Sequence, residues 1–387
     1  MVKRRKIGLL YQYNENWIGG TYYIQNLVIA LNRLAREEKP FLVIICQDRT
    51  TFYSFKKITG YPFLEWRAMV GKPYLFTRFM NKVSGILFKK IFFQTVRINT
   101  FNDIDILFPA IEHSAFSNVK HKLFWLPDLQ EHFYPNFFTS FEINERISQQ
   151  KKLISNNDII LFSSYTALHH FNTIYPQNLN QKFVLPFAVN IPKILSDNNQ
   201  EVLHQYKVGE PFFICSNQFW QHKNHLVIFE AIHILKAKGI GIHVVFTGNE
   251  NDYRDKTYFQ KLQCRSKELG INDQVQFLGF IHRNDQITLL KKALAIIQPS
   301  LFEGWSTIVE DAKALNAWII CSDIAVHQEQ LNAYPNCAFF SAEDAEQLST
   351  QLVSFLGKKP ITPYDYSTEQ NKHTLQLKAL FHSISNE

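Results

Sequence analysis

The chain has 387 residues, of which 46% are apolar and 19% are charged. This balance is typical of a soluble globular protein, and the length allows two domains of ordinary size. No window approaches about 18–20 uninterrupted apolar residues, so we expect no transmembrane helix. The five cysteines, at positions 46, 215, 264, 321 and 337, show no C-x-x-C spacing, which indicates free thiols in a reducing cytoplasm.

The positive charge is concentrated in the first half of the chain. Residues 1–190 carry 23 Lys and Arg against 13 Asp and Glu, whereas the remainder carries 18 against 21. Between Glu65 and Asp103 there are seven basic residues, several aromatic side chains and no acid. Such a run suggests an anionic partner. Nucleic acid is disfavoured because no nucleic-acid motif accompanies the charge, so an anionic membrane surface and a solvated basic face over an aromatic core stay open.

The first half alternates apolar strands with helical segments. Gly19-Gly20 opens a helix between the first two strands, which predicts a βαβ unit and hence a parallel, doubly wound sheet. A long helix is predicted at about 141–153. The polar segment 191–210 is predicted to be a linker that closes an N-terminal domain of residues 1–190. Strands are predicted at 6–11, 41–46, 104–108, 122–126, 158–162 and 182–185.

The second half, residues 211–366, repeats this pattern and is followed by a last helix at about 367–383. Two successive α/β units of similar size predict a cleft between them, with ligands bound off the carboxyl ends of the strands. Strands are predicted at 212–215, 243–247, 275–278, 293–297, 318–321 and 338–340, and helices at 224–238, 254–269, 284–292, 326–331 and 342–356.

The stretch 299–315, PSLFEGWSTIVEDAKAL, predicts a loop and a helix after a buried strand. Ser306 or Thr307 can cap the helix, so free N–H groups and the positive end of the helix dipole form an anion site at the edge of the sheet. Acids on the loop and in the first helical turns can accept hydrogen bonds from hydroxyls. This combination suits a nucleotide-sugar, although the acids of the helix could also serve only to complement its dipole.

The stretch resembles the donor-binding signature of retaining glycosyltransferases of family 4 (group 1), which share the two-domain GT-B fold. In that fold the terminal helix crosses back onto the first domain, and the resemblance implies the same for the last helix here. That signature is an acid, a Gly, and a second acid eight positions after the first. Glu303-Gly304 matches its start, and Asp311 stands where the family usually has Glu, beside an additional acid, Glu310. The resemblance implies that Glu303 holds a donor-sugar hydroxyl and that either Glu310 or Asp311 holds the ribose. It places further donor-binding residues at Gly304, Trp305, Ser306 and Thr307.

The turn 217–225, NQFWQHKNH, resembles the family's turn for the donor diphosphate, which carries Arg and, five positions later, Lys. Lys223 matches the Lys, whereas Gln218 stands where the Arg is expected, so one positive charge is missing. His222 is one replacement for that charge. Asn224 can cap the following helix. The alternative for Lys223 is an ordinary solvent-exposed lysine.

Two glycine turns carry weaker signals. Gly19-Gly20 resembles the family's glycine-rich loop, which faces donor and acceptor across the cleft. Gly279-Phe280 follows a strand, and the resemblance places this turn against the nucleotide base; a routine turn glycine is the alternative.

The segment PDLQEH, residues 127–132, follows a strand of the first domain and lies where the family often has an acid-bearing loop facing the acceptor. Asp128 could orient or deprotonate an acceptor hydroxyl, and His132 could assist it. His113, near the end of another strand, is a further open candidate.

The resemblance implies a retaining transferase that moves a hexosyl group from a nucleoside-diphosphate sugar to a glycan or lipid-linked glycan. Glu303, Asp128 and Lys223 are the catalytic candidates, and no cofactor or metal is expected. We expect the enzyme in the cytoplasm or on the inner membrane face, in cell-surface polysaccharide or lipopolysaccharide biosynthesis. A non-catalytic nucleotide-sugar-binding or scaffold protein, and a nucleotide-sugar epimerase or phosphorylase on the same fold, are the alternatives.

Overall fold

The computed structural model describes residues 4–13, 18–69, 99–110, 116–191, 199–357 and 359–384. The basic, aromatic run at 66–97 lies almost entirely outside the described residues, and so does His113.

Nine parallel-paired strands are described in the first domain. They are β1 Lys6–Leu10, β2 Phe41–Cys46, β3 Leu64–Ala68, β4 Asn99–Thr100, β5 Ile106–Ala110, β6 Phe116–Ser117, β7 His121–Leu126, β8 Ile159–Phe162 and β9 Lys182–Val184. Seven of these strands form one sheet in the order β3-β2-β1-β5-β7-β8-β9, and β4 pairs with β6 in a separate ladder. The predicted doubly wound sheet is confirmed, but strands β3, β4 and β6 were not predicted.

Five α-helices of the first domain are described: α1 Ile18–Leu31, α2 Arg49–Thr59, α3 Gln130–Phe133, α4 Ser140–Ser155 and α5 Tyr165–Ile174. Their ends follow capping chemistry. The Asp48 side chain accepts from Thr51 N and begins α2, and Gly60 ends that helix in the left-handed region with φ 58°. Thr139 and Glu142 form a reciprocal capping box at α4.

The second domain contains a six-stranded parallel sheet. In chain order its strands are β10 Phe213–Ser216, β11 Val244–Thr247, β12 Val275–Phe277, β13 Ile296–Gln298, β14 Ile319–Ser322 and β15 Cys337–Phe340. Their order across the sheet is β12-β11-β10-β13-β14-β15. The helices are α6 Asn199–Gln205, α7 His225–Ala237, α8 Tyr258–Glu268, α9 Arg283–Lys292, α10 Thr307–Leu315, α11 Ala325–Leu331 and α12 Ala345–Ser354. Helix α6 lies within the predicted linker.

Helices cover both faces of each sheet, which explains why the strands are continuous apolar runs. In β2, Leu42 and Ile44 pack into one core while Val43 and Ile45 pack into another on the opposite face. The strands of the second sheet alternate between two cores in the same way.

The last helix, α13 Ser367–Ser383, returns to the first domain. Leu377 and Phe381 are buried in the core that contains β1 and β2. Thr374 Oγ1 donates to Ala30 O at 3.2 Å, and His373 Nδ1 accepts from Ala188 N at 3.3 Å. The predicted crossing of the terminal helix is therefore confirmed.

Each sheet has a point where the strand order reverses. In the second sheet, β10 lies between β11 and β13, so the chain leaves Ser216 and Gln298 at adjacent carboxyl ends and turns in opposite directions. Open α/β sheets bind ligands in the crevice at such a point. The 217–224 turn and the 299–306 loop both start there.

Candidate functional site

A cleft of about 1410 Å³ separates the two domains at the carboxyl ends of their strands. Its first-domain wall includes the start of α1 and the end of β7, and its second-domain wall includes the 217–224 turn and the 299–306 loop. The predicted residues that line it are Gly19, Gly20, Asp128, Gln218, Lys223, Phe280, Glu303, Gly304, Trp305, Ser306 and Thr307.

Glu303 is held from one side by three donors that converge on a single oxygen. Its Oε1 accepts from Lys223 Nζ at 2.5 Å, Ser300 Oγ at 2.7 Å and Gln298 Nε2 at 2.9 Å. Gln298 and Ser300 are fully buried, which fixes the orientation of the carboxylate. In the described part of the chain no group donates to Oε2, so this oxygen is available to a ligand.

Lys223 reaches Glu303 from a short 3₁₀ turn, Gln221–Lys223, after β10. The side chains of the pair are 15% and 10% exposed, respectively. A second bond, from Asn217 Nδ2 to Gln298 Oε1 at 2.8 Å, ties the same turn to the end of β13. The structure thus brings together the predicted diphosphate cation and the predicted sugar-binding acid.

Asn224 does not cap α7 as predicted, because its side chain bonds elsewhere. Its backbone is left-handed with φ 55°, and no side-chain cap bond forms. Nδ2 instead donates to Pro299 O at 3.2 Å and to Ala342 O at 2.7 Å. Asn224 does not line the cleft and fixes the 299–306 loop from behind.

The N-terminus of α10 opens into the cleft. Ser306 is its cap, as predicted, and its Oγ accepts from Val309 N at 3.5 Å. The N–H groups of Thr307 and Ile308 have no acceptor among the residues whose structure is described. Unpaired N–H groups at the positive end of a nine-residue helix can hold an anion.

The 299–306 loop is docked on the first domain. A Cβ added to Gly304 would lie 2.1 Å from Pro127 O, so only glycine permits this approach. Trp305 Nε1 donates to Phe187 O at 3.1 Å. Farther from the loop, the Glu329 carboxylate accepts from the backbone N–H groups of Tyr165 and Thr166, both at 2.8 Å, at the start of α5.

Neither Glu310 nor Asp311 lines the cleft, and the expected contact of one of them with a ribose stays a prediction. Glu310 is buried and accepts from Lys313, Gln330 and Tyr366. Burial raises its pKa, and Lys313 opposes that shift. Asp311 is 0% exposed, and both of its oxygens accept from Arg283. The helix therefore turns both acids into the protein.

Asp128 lies on the cleft wall and His132 does not. Asp128 Oδ1 accepts from Gln130 N at 3.1 Å and lies 3.9 Å from Arg146 Nη1. Loss of hydration raises the pKa of Asp128, and the charge of Arg146 opposes that shift. The ring of His132 bonds through Nε2 to Gln150 Oε1 at 3.0 Å, and its expected role at the acceptor stays a prediction.

The glycine turns occupy different positions. Gly19 faces the second domain, since an added Cβ would lie 3.9 Å from Thr307 Oγ1. Gly279 has φ 66° and lies behind the cleft, where its carbonyl accepts from Gly248 N at 2.9 Å. Phe280 is 45% exposed and lines the cleft itself.

The missing charge at Gln218 is not supplied by His222. His222 is buried, and burial together with the nearby Lys223 and Arg254 charges lowers its pKa well below its ordinary value. The ring is therefore uncharged at neutral pH. Its Nδ1 lies 3.4 Å from Arg254 Nη2.

Sequence reasoning missed three arginines that line the cleft, Arg146, Arg254 and Arg283. Each comes from an element distant in sequence from the two motifs that carried the prediction. A basic residue in the turn before a predicted helix was the available signal for Arg283, which is the first residue of α9.

The described residues contain no group of three or more His, Cys, Asp and Glu side chains that could hold a metal ion. None of the helices among them is long and apolar enough to cross a membrane.

Two facing doubly wound domains, a cleft at their switch points and a terminal helix that crosses back define the GT-B fold. Residues 197–372 match the family model described as glycosyl transferases group 1. This match confirms the resemblance to group 1 glycosyltransferases, and the matched segment contains both motifs, residues 217–225 and 303–311.

The curated O-antigen chain mannosyltransferase RfbU of Salmonella typhimurium is 25% identical to this chain over 248 residues. The aligned region spans 64% of this chain and 64% of RfbU, just under two thirds of either. Solved structures extend the likeness in fold to nearly the whole chain. A glycosyltransferase from Rickettsia africae is 14% identical with a TM-score of 0.65, covering 99% of this chain and 98% of its own. HepE from Anabaena, solved with UDP-glucose, is 11% identical with a TM-score of 0.62, covering 98% and 97%.

Proposed function

We propose that the protein transfers a hexosyl group from a nucleoside-diphosphate sugar to a hydroxyl of a glycan or lipid-linked glycan. Retention of configuration at the sugar carbon is proposed from the family resemblance alone. The likeness to RfbU supports a role in cell-surface polysaccharide or lipopolysaccharide synthesis, and the fold shared with HepE supports a nucleotide-sugar donor.

The observation that carries the proposal is the pairing of Lys223 with Glu303 beside the N-terminus of α10. The 2.5 Å contact places a cation and an acid with one uncommitted oxygen at the switch point of the second sheet. A nucleotide-sugar needs both groups, since its diphosphate seeks positive charge and its sugar hydroxyls seek acceptors.

In the proposed reaction the bond between the sugar carbon and the diphosphate oxygen breaks, and a bond to the acceptor oxygen forms. Negative charge then develops on the departing diphosphate. Lys223 and the N–H groups of Thr307 and Ile308 stabilise that charge through fixed donors, without a required metal. Glu303 Oε2 holds a hydroxyl of the sugar while its Oε1 remains bound to Lys223.

Asp128 is the proposed partner of the acceptor hydroxyl. It belongs to the first-domain wall of the cleft beside the 299–306 loop, and its Cβ would lie 3.3 Å from a Cβ added to Gly304. A carboxyl whose pKa is raised by burial is a better proton acceptor than an ordinary aspartate. Asp128 is therefore placed to orient the acceptor and to take its proton.

A second candidate function is nucleotide-sugar binding without transfer. It is favoured by the commitment of Asp311 to Arg283 and by the uncharged Gln218, because both leave the donor site short of groups that the family uses. A binder keeps its ligand intact, whereas a transferase slowly hydrolyses its donor when no acceptor is present.

The test is incubation of the purified protein with UDP-, GDP- and dTDP-hexoses, with release of free nucleoside diphosphate followed over hours. The expected result is slow release from one donor class, which the Glu303→Gln variant lacks. Tight binding of a donor with no release from any would favour the binding protein. Release accompanied by conversion into an epimeric sugar nucleotide would instead identify an epimerase.

The cytoplasm, at the inner face of a membrane, is the proposed site of action. Lipid-linked acceptors lie at such a surface, and the basic half of the chain carries a net positive charge that anionic headgroups attract.

A further inference from the structure

One feature of the cleft is still unexplained. The guanidinium of Arg283 covers Asp311, one of the two acids that the family resemblance assigns to the ribose. Arg283 lines the cleft and its side chain is 17% exposed. Asp311, its partner, is fully buried. A ligand in the cleft therefore meets the arginine before it can meet the acid.

The hydrogen bonds of Arg283 leave one edge of its guanidinium uncommitted. Nη2 and Nη1 donate to the two oxygens of Asp311 at 2.5 and 2.8 Å, and Nη1 also donates to Gln286 Oε1 at 2.8 Å. An arginine has five N–H donors in a planar fork. The Nε–H and the second Nη2–H remain, and they point along the same edge. No acceptor for Nε is found within the described part of the chain.

The position of this edge is fixed from several sides. Gln286, one turn after Arg283 on α9, donates to Ser216 Oγ at 2.6 Å, at the end of β10. Asp311 is four residues after Thr307 on α10. The ring of Tyr22, from the first domain, has its centroid 5.1 Å from the Arg283 guanidinium carbon. Arg283 therefore lies between the end of β10 and the start of α10, with its guanidinium facing Tyr22 of the first domain.

The charges around the cleft explain what this edge would bind. Gln218 supplies no charge where the family has arginine, and Lys223 is already paired with Glu303. A diphosphate carries more negative charge than Lys223 alone can balance. A guanidinium edge with two parallel N–H groups matches the geometry of phosphate oxygens, and such charge-assisted pairs are about twice as strong as neutral hydrogen bonds.

We propose that Arg283 is the second cation of the donor site and binds a phosphate oxygen of the nucleoside diphosphate through its Nε–Nη2 edge. Asp311 is then a positioning residue that orients the guanidinium and does not bind the ribose. This inference rests on the proposed donor site and adds a residue and a role that the family resemblance does not supply.

The test is calorimetry with UDP and GDP, and with uridine and guanosine, on the wild type and on Arg283→Gln, Arg283→Lys and Asp311→Asn. Arg283→Gln should weaken the preferred diphosphate by about 10- to 150-fold and leave the matching nucleoside unchanged. Arg283→Lys should fall between, because lysine keeps the charge and loses the two-donor edge. Asp311→Asn should weaken the diphosphate less than Arg283→Gln does and leave the nucleoside unchanged, because asparagine keeps one acceptor for the guanidinium.

Other outcomes overturn the inference. A purely structural ion pair predicts that all three variants lower the unfolding temperature while diphosphate affinity per folded molecule stays unchanged. A ribose-binding Asp311 predicts that Asp311→Asn weakens diphosphate and nucleoside equally. If Arg283→Gln fails to fold, Arg283→Lys decides, because unchanged diphosphate affinity in that variant also refutes the role.

The matched control is Arg265→Gln, which removes another paired arginine of the same domain. Arg265 Nη2 donates to Glu230 Oε1 at 2.7 Å outside the cleft, and its loss should leave all four affinities unchanged. A wild type that binds neither diphosphate would refute the proposed function. If the wild type binds one diphosphate and Arg283→Gln binds it with the same affinity, only the role of Arg283 is refuted.

Discussion

Replacing Glu303 with Gln should remove one hydrogen-bond acceptor from the cleft without unfolding the protein. All three donors to Glu303 converge on Oε1, so a glutamine can place its carbonyl oxygen there and retain bonds from Lys223, Ser300 and Gln298. Its NH₂ group then replaces Oε2, the oxygen we assign to a sugar hydroxyl. A donor takes the place of a charged acceptor at that one position.

The expected loss follows from this geometry. A hydrogen bond to a charged group contributes about 1.5–3 kcal/mol, and failing to make it in the transition state slows turnover by about 10- to 150-fold. The assay is the release of nucleoside diphosphate from the preferred sugar nucleotide, with thermal unfolding measured in parallel. Glu346→Gln is the matched control, because Glu346 also pairs with a lysine, Lys238 at 3.3 Å, but is largely exposed. Unchanged turnover in Glu303→Gln would remove Glu303 from the site.

Four further predictions follow from the site and from the charge of the first half. Gly304→Ala should destabilise the docked loop by about 1–3 kcal/mol and lower activity, because the added Cβ would lie 2.1 Å from Pro127 O. The control is Gly209→Ala, where an added Cβ meets nothing within 4 Å, and it should change neither the melting temperature nor turnover. The folded protein raises the pKa of Asp128 and so holds its proton more tightly than the unfolded chain does. The contribution of this carboxyl to the free energy of unfolding therefore falls as the pH rises above 3.8. Asp128→Asn should therefore raise the melting temperature at neutral pH, with the gain vanishing below pH 3.8; a gain that is the same at all pH values would contradict this cause. EDTA should leave the activity of dialysed enzyme unchanged, and a strict need for Mg²⁺ or Mn²⁺ would contradict the proposed leaving-group stabilisation. Liposomes with anionic lipid should sediment the protein at low salt through residues 66–97, at about 1 kcal/mol per basic residue near the surface, and equal binding to neutral liposomes would refute this.

Most of the fold was predictable because strand and helix signals are local. The second sheet illustrates this, since each predicted strand overlaps an observed strand. Among the elements that were not predicted, α2 and β3 were missed for different reasons. Asp48 and Gly60 bracket α2 with good capping chemistry and could have revealed it. Strand β3, with sequence LEWRA, is only half-buried at the edge of its sheet, so it lacks a continuous apolar run.

The parts of the site that could be predicted are those whose backbone conformation depends on residues adjacent in the chain. The strand end, loop and cap from Pro299 to Thr307 follow from residues next to one another in the chain. Partnerships across the fold were not predictable. Whether Asp311 faces a ligand depends on Arg283, and whether His222 carries charge depends on its burial. Asn224 was expected to cap a helix, but its left-handed backbone turns its side chain to Pro299 O.

The central claim is that this cleft holds a nucleoside diphosphate by its phosphates, with Lys223 as a principal cation. Calorimetry of the wild type and Lys223→Ala, each with the preferred diphosphate and with the matching nucleoside, tests it most directly. The account predicts that Lys223→Ala weakens the diphosphate by about 1.5–3 kcal/mol and leaves the nucleoside almost unchanged. Equal weakening of both ligands would show that Lys223 shapes the turn and does not hold phosphate, and a wild type that binds neither would contradict the transferase itself.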